Sequence, residues 1–375
     1  MISPGRLYRI QYAVYILCFT GREQIMTISK RLAPVFLSAT INFILLFASA
    51  CSSPPSGTVP FSSAPGKKVT VRLAIPNPPG DELTRNAEKF ADAVTQRTAG
   101  TYEVRVFPGE TMVKVPEMYD AVRQGSVEMS VVGIGIFEGL HRGLAEYPMS
   151  YDSIEANVAA AQPLLELFSR EIFEKFLNMK GLAAYTTGAQ ELISKRPVKT
   201  LEDWKGLLVG TGNPQGSALA TSLGAAPVTV FWTDFYSGLS KGTVDAVLNS
   251  MRSDIVYRLT DSAKYVTLFY GQPTFLSYNI NLDVWNKMPP DVQKILMEEA
   301  RKACDEMNAY QVRAWKETDR SALTELGAEI YDVPKEERER WKSVVQPYID
   351  KKIADLGELG VQIRRIMDRA NSEYR

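Results

Sequence analysis

Residues 206–249 read GLLVGTGNPQGSALATSLGAAPVTVFWTDFYSGLSKGTVDAVLN, and their pattern predicts three short strands alternating with two short helices. Leu207–Val209, Ala226–Val230 and Val244–Leu248 are apolar runs of strand length, Ser217–Leu223 and Asp234–Ser240 are brief helical pieces, and Gly210–Pro214 is turn chemistry. In α/β sheets a ligand sits outside the carboxyl ends of the strands. Gly210, Trp232 and Asn249, each just past an apolar run, are therefore candidates for one crevice. The pattern implies binding and carries no sign of chemistry.

Upstream of this stretch the chain repeats the same logic. KVTVRLAI at 68–75 alternates strictly and predicts a strand, Asn77–Gly80 is a turn, and Asp81 caps a helix with Leu83, Phe90, Ala91 and Val94 on one face. Tyr102, Val104 and Val106 mark a second strand, Pro116–Arg123 a short helix, and Glu128–Val132 a third strand. This βαβ spacing favours a mostly parallel sheet. Gly133 and Gly135 follow it, suited either to close approach of a ligand to backbone amides or to a crowded sheet edge. Ser153–Met179 is largely helical, Gly181–Thr186 is a strand, and Ile193 lies in another short apolar piece. The change in composition near Thr187 marks a crossing between domains.

Downstream, Ile255–Leu259 is helical, while Tyr265–Phe269 and Phe275–Ile280 are strands. Pro290 opens a helical pattern running to about Leu326, favoured at its start by the proline and by Asp291. A helix of that length is unusual for one lobe, so it either spans two lobes or is two helices broken near Asn308. Glu329–Tyr331 is a strand, Pro334 starts another helix that packs through Trp341, Val345 and Ile349, and the charged tail from Ile363 is expected to be peripheral.

The N-terminus constrains location. Lys30 and Arg31 precede the uncharged run LAPVFLSATINFILLFASA, which ends directly before Cys51. A basic flank, an apolar core and a small-residue exit form an export signal; a membrane anchor is the alternative. Ala48–Cys51 resembles a bacterial lipoprotein signal, which implies a lipid on Cys51. Met26 is the expected translation start. Ser52–Gly66, rich in Ser, Pro and Gly, reads as a tether. The remaining cysteines, Cys18 and Cys304, leave the mature chain no disulfide, so it relies on a core that about 310 residues can supply. With 43 basic and 43 acidic side chains overall, and a mildly acidic balance after export, there is no basic stripe for nucleic acid.

From Val71 to about Glu299 the chain resembles the extracytoplasmic solute receptors of tripartite ATP-independent periplasmic (TRAP) transporters, the DctP-type family. The resemblance rests on FPGETMVKVPEMYDAVRQGSVEMS, GAQELISKRPVKTLEDWKGLLV, LGAAPVTVFWTDFYSGLSKGTVDAV and NKMPPDVQKILMEEA, in that order. It implies an α/β fold of two lobes, type II-like among periplasmic binding proteins, with crossing strands and a long lobe-spanning helix. The implied layout is residues 1–50 for export, 51–66 for the lipidated cysteine and tether, 67–187 with about 271–300 for the first lobe, 188–270 with about 301–333 for the second, and 334–375 for a C-terminal helix and charged tail. It also implies closure around a solute in the periplasm, a TRAP permease as partner, a membrane contact through the lipid, and neither cofactor nor metal.

Two departures from the family pattern bear on the ligand. An arginine that grips carboxylates is usual where Gly210 stands, and a basic residue is frequent where Gln190 stands; glycine and a neutral amide supply no bidentate cation. What the resemblance leaves as ligand-binding candidates is Tyr185, Gln190, Gly210, Trp232, Tyr236 and Asn249, with Asn77 and Gly133 on the first lobe. Aromatic faces with a few amides suit a neutral or weakly polar organic molecule. An organic acid held by Lys114, Arg252 or backbone amides is the alternative, as is a sensory lipoprotein of the same fold. Catalysis has little support: His141 is the only histidine, no H-E-x-x-H or G-x-S-x-G occurs, and the carboxylate pairs Glu138 with Glu146 and Asp245 with Asp254 are explained by exposed charge.

Overall fold

A computed structural model of the chain describes residues 68–134 and 146–374. The export signal, Cys51, the tether, Gly135, Glu138 and His141 lie outside the described residues. Strand β1 (Val69–Ala74) follows the predicted alternation, with Val69, Val71 and Leu73 buried. Helix α1 (Glu82–Arg97) starts as expected, the Leu83 N–H donating to Asp81 Oδ1 at 2.9 Å. Strand β2 (Tyr102–Phe107) lies parallel to β1 on one side; after α2 (Met118–Arg123), β3 (Met129–Gly133) lies parallel to it on the other.

Helix α3 (Ile154–Phe168), capped by Ser153, continues through a π turn at Ser169–Phe173 and delivers the chain to β4 (Met179–Ser194). Here the structure corrects the sequence. The two short pieces expected on either side of Thr187 are one strand of 16 residues, and the two expected between Tyr265 and Ile280 are one strand of 17, β8 (Tyr265–Asn281). The reason is that β4 and β8 pair antiparallel along their lengths through three register shifts. The first falls at Leu182, and the other two fall at Thr187–Gly188 and at Glu191, where the apolar pattern is interrupted. At the last of them Gln190 pairs with Gln272 and Leu192 with Thr267, so Glu191 alone faces Leu268–Gly271. The fully buried Glu191 carboxylate supplies the missing acceptors, taking the Phe269 N–H at 2.7 Å and the Tyr270 N–H at 3.2 Å. Tyr270 adopts φ 55°, the left-handed region, and Gly271 follows it.

The opening stretch folds nearly as its pattern predicts: β5 (Leu208–Thr211), α4 (Pro214–Ser222), β6 (Ala226–Thr229), α5 (Phe235–Lys241), β7 (Ala246–Asn249) and α6 (Met251–Val256). Gly210 and Asn249 lie inside their strands rather than beyond them. Asp234 holds the N-cap position of α5 without a side-chain capping bond. All nine strands among the described residues form one sheet in the order β2-β1-β3-β8-β4-β7-β5-β6, with β9 (Glu329–Asp332) against β8.

After α7 (Leu282–Asn286), the long helix is present as α8 (Pro290–Arg313). It passes through a π turn at Ala314–Thr318 into α9 (Asp319–Glu325), without a break at Asn308. Asn308 instead accepts the Thr186 N–H at 3.0 Å, fastening the helix to β4 at a register shift. Helix α10 (Lys335–Asp355) buries Trp341 against Trp204 and Phe269, with ring centroids 5.4 and 5.3 Å away. Its Arg338 donates to the Phe269 carbonyl at 2.9 Å, the Tyr151 carbonyl at 2.6 Å and Asp152 at 2.8 Å. The C-terminal segment is not a peripheral tail. It forms α11 (Glu358–Glu373), buries Ile363, Met367 and Ala370, and ties Asn371 to the Ser150 carbonyl and the Asp152 N–H.

Candidate functional site

Strand alternation sorts the candidate residues onto two faces of the β4–β7–β5 sheet. Glu191 pairs with Asn249, Ile193 with Val247, and Gly210 with Val247, so these share a face. Gln190 belongs to the opposite face, toward α4, together with its register partner Gln272.

On the first face Gly210 is closed in. A Cβ built there would stand 2.9 Å from Val247 Cγ1 and 3.5 Å from Val244 Cγ1, within an apolar cluster completed by Phe235, Leu239 and Met251. Asn249 is buried, and its Nδ2 donates to Asp254 Oδ1 at 2.9 Å, so in this conformation its amide serves the protein. Asp254, assigned to exposed charge on sequence, is buried with Oδ2 unpartnered. Burial, reinforced by the charges of Glu191 and Asp319, holds its carboxyl well above the usual range, although the Asn249 bond opposes this. Burial likewise pushes Glu191 up to about 8 against the two backbone N–H bonds it accepts. On this face the Glu191 carboxyl, raised to about 8, holds its proton near neutral pH, and burial shifts Asp254 in the same direction. They do not form a metal centre: among the described residues no group of three or more His, Cys, Asp or Glu is placed to hold an ion.

Beyond the end of β6 the chain exposes three aromatic rings. Trp232 is 39% exposed and Tyr236 43%, and Phe231 at 58% stands in edge contact with Trp232 at 6.2 Å. Phe231 was missed because it reads as the end of an apolar strand.

Tyr185 is corrected. It lies within β4 in the first-lobe core with Tyr278 and Cys304, 1% exposed, and does not end the strand. Asn77 is half-buried in the turn after β1, its carbonyl taking the Gly109 N–H at 2.8 Å and the Thr84 hydroxyl at 3.2 Å. Gly133 is buried as the last residue of β3, and its carbonyl accepts the Tyr119 hydroxyl. The two cations named for an acid ligand are engaged. Lys114 pairs with Glu110 at 3.1 Å on the surface, and Arg252 faces Asp319 at 3.6 Å. Two surface grooves, of about 690 and about 270 Å³, are lined by residues of α8 and α1, none of them from these strand ends.

Glu191, Asp254 and Gln272 are the residues that sequence reasoning overlooked. The signal was a charged or amide side chain at a position where alternation demands burial.

Two βαβ-built halves sharing a pair of long antiparallel strands, with a long helix fastened to the crossing, define a two-lobed binding protein of the type II-like class. Residues 74–355 match the family described as bacterial extracellular solute-binding protein, family 7 (DctP), and the chain belongs to that family. It is 25% identical over 301 residues to the 2,3-diketo-L-gulonate-binding periplasmic protein YiaO of Escherichia coli K12, covering 74% of this chain and 90% of the relative. Among solved structures, a TRAP periplasmic solute-binding protein from Ochrobactrum anthropi is similar at TM-score 0.73 and 26% identity, over 82% of this chain and 97% of that one. A Bordetella pertussis extracytoplasmic solute receptor binding pyroglutamic acid has a similar fold at TM-score 0.71 and 20% identity, over 80% and 99%. The family is one of transport receptors for small solutes rather than of enzymes.

Proposed function

We propose that this receptor closes around a small neutral or weakly polar organic solute and delivers it to a TRAP membrane permease, without catalysing a reaction. The observation that carries the reading is Gly210: the side-chain volume there is taken up by Val247, in an apolar cluster next to exposed Trp232 and Tyr236. The named relatives include receptors for acids, a 2,3-diketo-L-gulonate binder and a pyroglutamic acid binder, so the proposal is a divergence within the family.

Thermal-shift screening against matched acid, amide and alcohol sets tests it. Stabilisation by the neutral members is expected; consistent preference for the carboxylates overturns it.

We further place the first lobe at 67–187 with about 271–300 and the second at 188–270 with about 301–333, and the lipid on Cys51 of an exported chain. Two or more acyl chains give stable attachment where one is marginal. Intact-mass analysis of membrane-extracted protein should show a chain starting at Cys51 with a lipid increment. A soluble form starting after Cys51 rejects the anchor.

A further inference from the structure

The halves are joined by the long strands β4 and β8 and by the helical run from α8 to α9. The strand crossing carries the bulge at Tyr270–Gly271, and the helical crossing carries the π turn at Ala314–Thr318. One stack ties these two irregularities together. The Tyr270 and Trp315 rings lie 4.6 Å apart and 23° from parallel, Arg338 of α10 stands 5.4 Å from the centre of Tyr270, and Arg320 of α9 stands 4.8 Å from that of Trp315. Glu191, fully buried in β4, sits at the same junction. Its carboxylate shapes the bulge by accepting the Phe269 N–H at 2.7 Å and the Tyr270 N–H at 3.2 Å, and the Trp315 indole lies beside it. The charged and titratable groups that face it come from four elements: Tyr270 from β8, Asp254 from α6, Arg320 from α9 and Arg338 from α10. Asp319, at the start of α9, acts on Asp254 and faces Arg252, and Lys316 of the π turn is paired with Glu155 of α3. Among the described residues neither arginine hydrogen-bonds the Glu191 carboxyl: Arg338 donates to the Phe269 and Tyr151 carbonyls and to Asp152, and Arg320 to Asp332 and the Trp315 carbonyl. Ionised, Glu191 is therefore a buried charge with N–H partners and no bonded cation, a form that gains by reaching water. Hydrating it means parting the groups around it, which are the bulge and the stack.

We propose that Glu191 is a proton-operated brace at the crossing: with its proton it holds the β8 bulge and the π turn together through the Tyr270–Trp315 stack, and without it the two part and the halves gain freedom to separate. The inference rests on lobe closure as proposed above, adds a control on that motion, and is independent of the solute's charge. Linkage gives the sign. The braced form keeps the proton up to about pH 8, whereas a locally opened form with a hydrated carboxyl releases it near the ordinary value of 4.5. From pH 7 to pH 9 the opened form therefore gains about tenfold in population relative to the braced one. Below pH 7 the brace is engaged and pH has little further effect.

Hydrogen exchange followed by mass spectrometry on the solute-free receptor, well below its Tm and corrected for the intrinsic effect of pH, tests the brace. In the wild type, protection in peptides spanning residues 266–274 and 312–318 should fall about tenfold from pH 7 to pH 9. Peptides from β1 and β5 should hold theirs, and the radius of gyration from X-ray scattering should rise over the same interval. Glu191→Gln, which keeps an acceptor and carries no charge, should abolish both changes. Should that variant not fold, the wild-type Glu191 carboxyl carbon resonance is followed instead, and its titration should coincide with the loss of protection. Protection that falls alike in wild type and variant, or a carboxyl that titrates outside this interval, overturns the role of Glu191. Local loss of protection with an unchanged radius overturns the coupling to lobe separation. An unchanged radius on binding of a solute found by screening overturns the closure reading itself, and the control on it with it.

Discussion

Val247 and Gly210 divide a single side-chain volume: the valine Cγ1 stands 2.9 Å from where a glycine Cβ would be built. Gly210→Ala should cost about 1–3 kcal/mol of stability by overpacking, and Val247→Ala in the same chain should return part of it. Urea denaturation of the single and double variants measures the coupling. Strict additivity would show that the cluster relaxes elsewhere.

Trp232→Ala should weaken solute binding by about 2 kcal/mol or more if the indole is a buried anchor in the closed form. Thermal stability should change little, because the ring is 39% exposed without solute. Calorimetry with the solute found by screening checks it; an unchanged Kd would reassign the exposed Phe231–Trp232 pair to a protein contact.

The buried carboxyls make stability fall with pH on the alkaline side. Glu146 is raised to about 7 and Glu191 to about 8, in each case chiefly by burial, so the native chain holds protons that the unfolded chain has released. That stabilisation is fully present below the unfolded value of 4.5 and is lost as pH rises through about 7 and then about 8. Each proton corresponds to a slope of about 1.4 kcal/mol per pH unit within its window. Tm should therefore drop between pH 6 and pH 9. Gln at position 191 keeps one acceptor for the Phe269 and Tyr270 N–H groups, so Glu191→Gln should start lower at pH 6 and lose less by pH 9. An equal slope in wild type and variant would exclude Glu191 as a source.

Gly271→Ala should be among the most damaging single-atom additions. Its Cβ would fall 2.4 Å from Phe269 Cζ and 2.6 Å from the Gln190 carbonyl oxygen, and a backbone atom cannot swing aside. A loss of about 1–3 kcal/mol or more is expected in thermal unfolding. A wild-type Tm would mean the bulge shifts readily.

Removing residues 358–375 should destabilise the protein, since it strips Ile363, Met367 and Ala370 from the core and leaves Ser150 and Asp152 without Asn371. Each large apolar side chain lost from burial carries about 1.5–3 kcal/mol. Expression as a soluble chain with unchanged Tm would restore a peripheral tail.

The sequence made the fold legible wherever a local rule decides the outcome. Asp81 caps α1 through its own carboxylate, and the βαβ spacing around β1 and β5 gives parallel pairs. It misled where a partner distant in sequence decides. The stretches at Thr187 and at 270–274 read as breaks between strands because the apolar pattern is interrupted there; the ladder continues because β4 and β8 carry it across with bulges. Tyr185 looked like a cleft residue until α8 covered it, and Asn249 like a free amide until Asp254, five residues on, claimed it. The exposed ring of Trp232 was predictable, as it follows a strand end and precedes a helix. The buried roles of Glu191 and Gln272 depend on which strand faces them, and one chain read alone does not hold that information.

The crossing strands also dictate an order of assembly. β3 takes Ile280 of β8 as partner for Met129, so the first lobe's sheet waits for a strand made after nearly all of the second lobe. Contacts of such long sequence separation make folding slow and expose unpaired strand edges meanwhile. A chain that emerges from its N-terminus onward therefore cannot complete the first lobe's sheet before β8 is made. Until then β3 keeps an unpaired edge, and the late strand sets the moment at which that edge is covered.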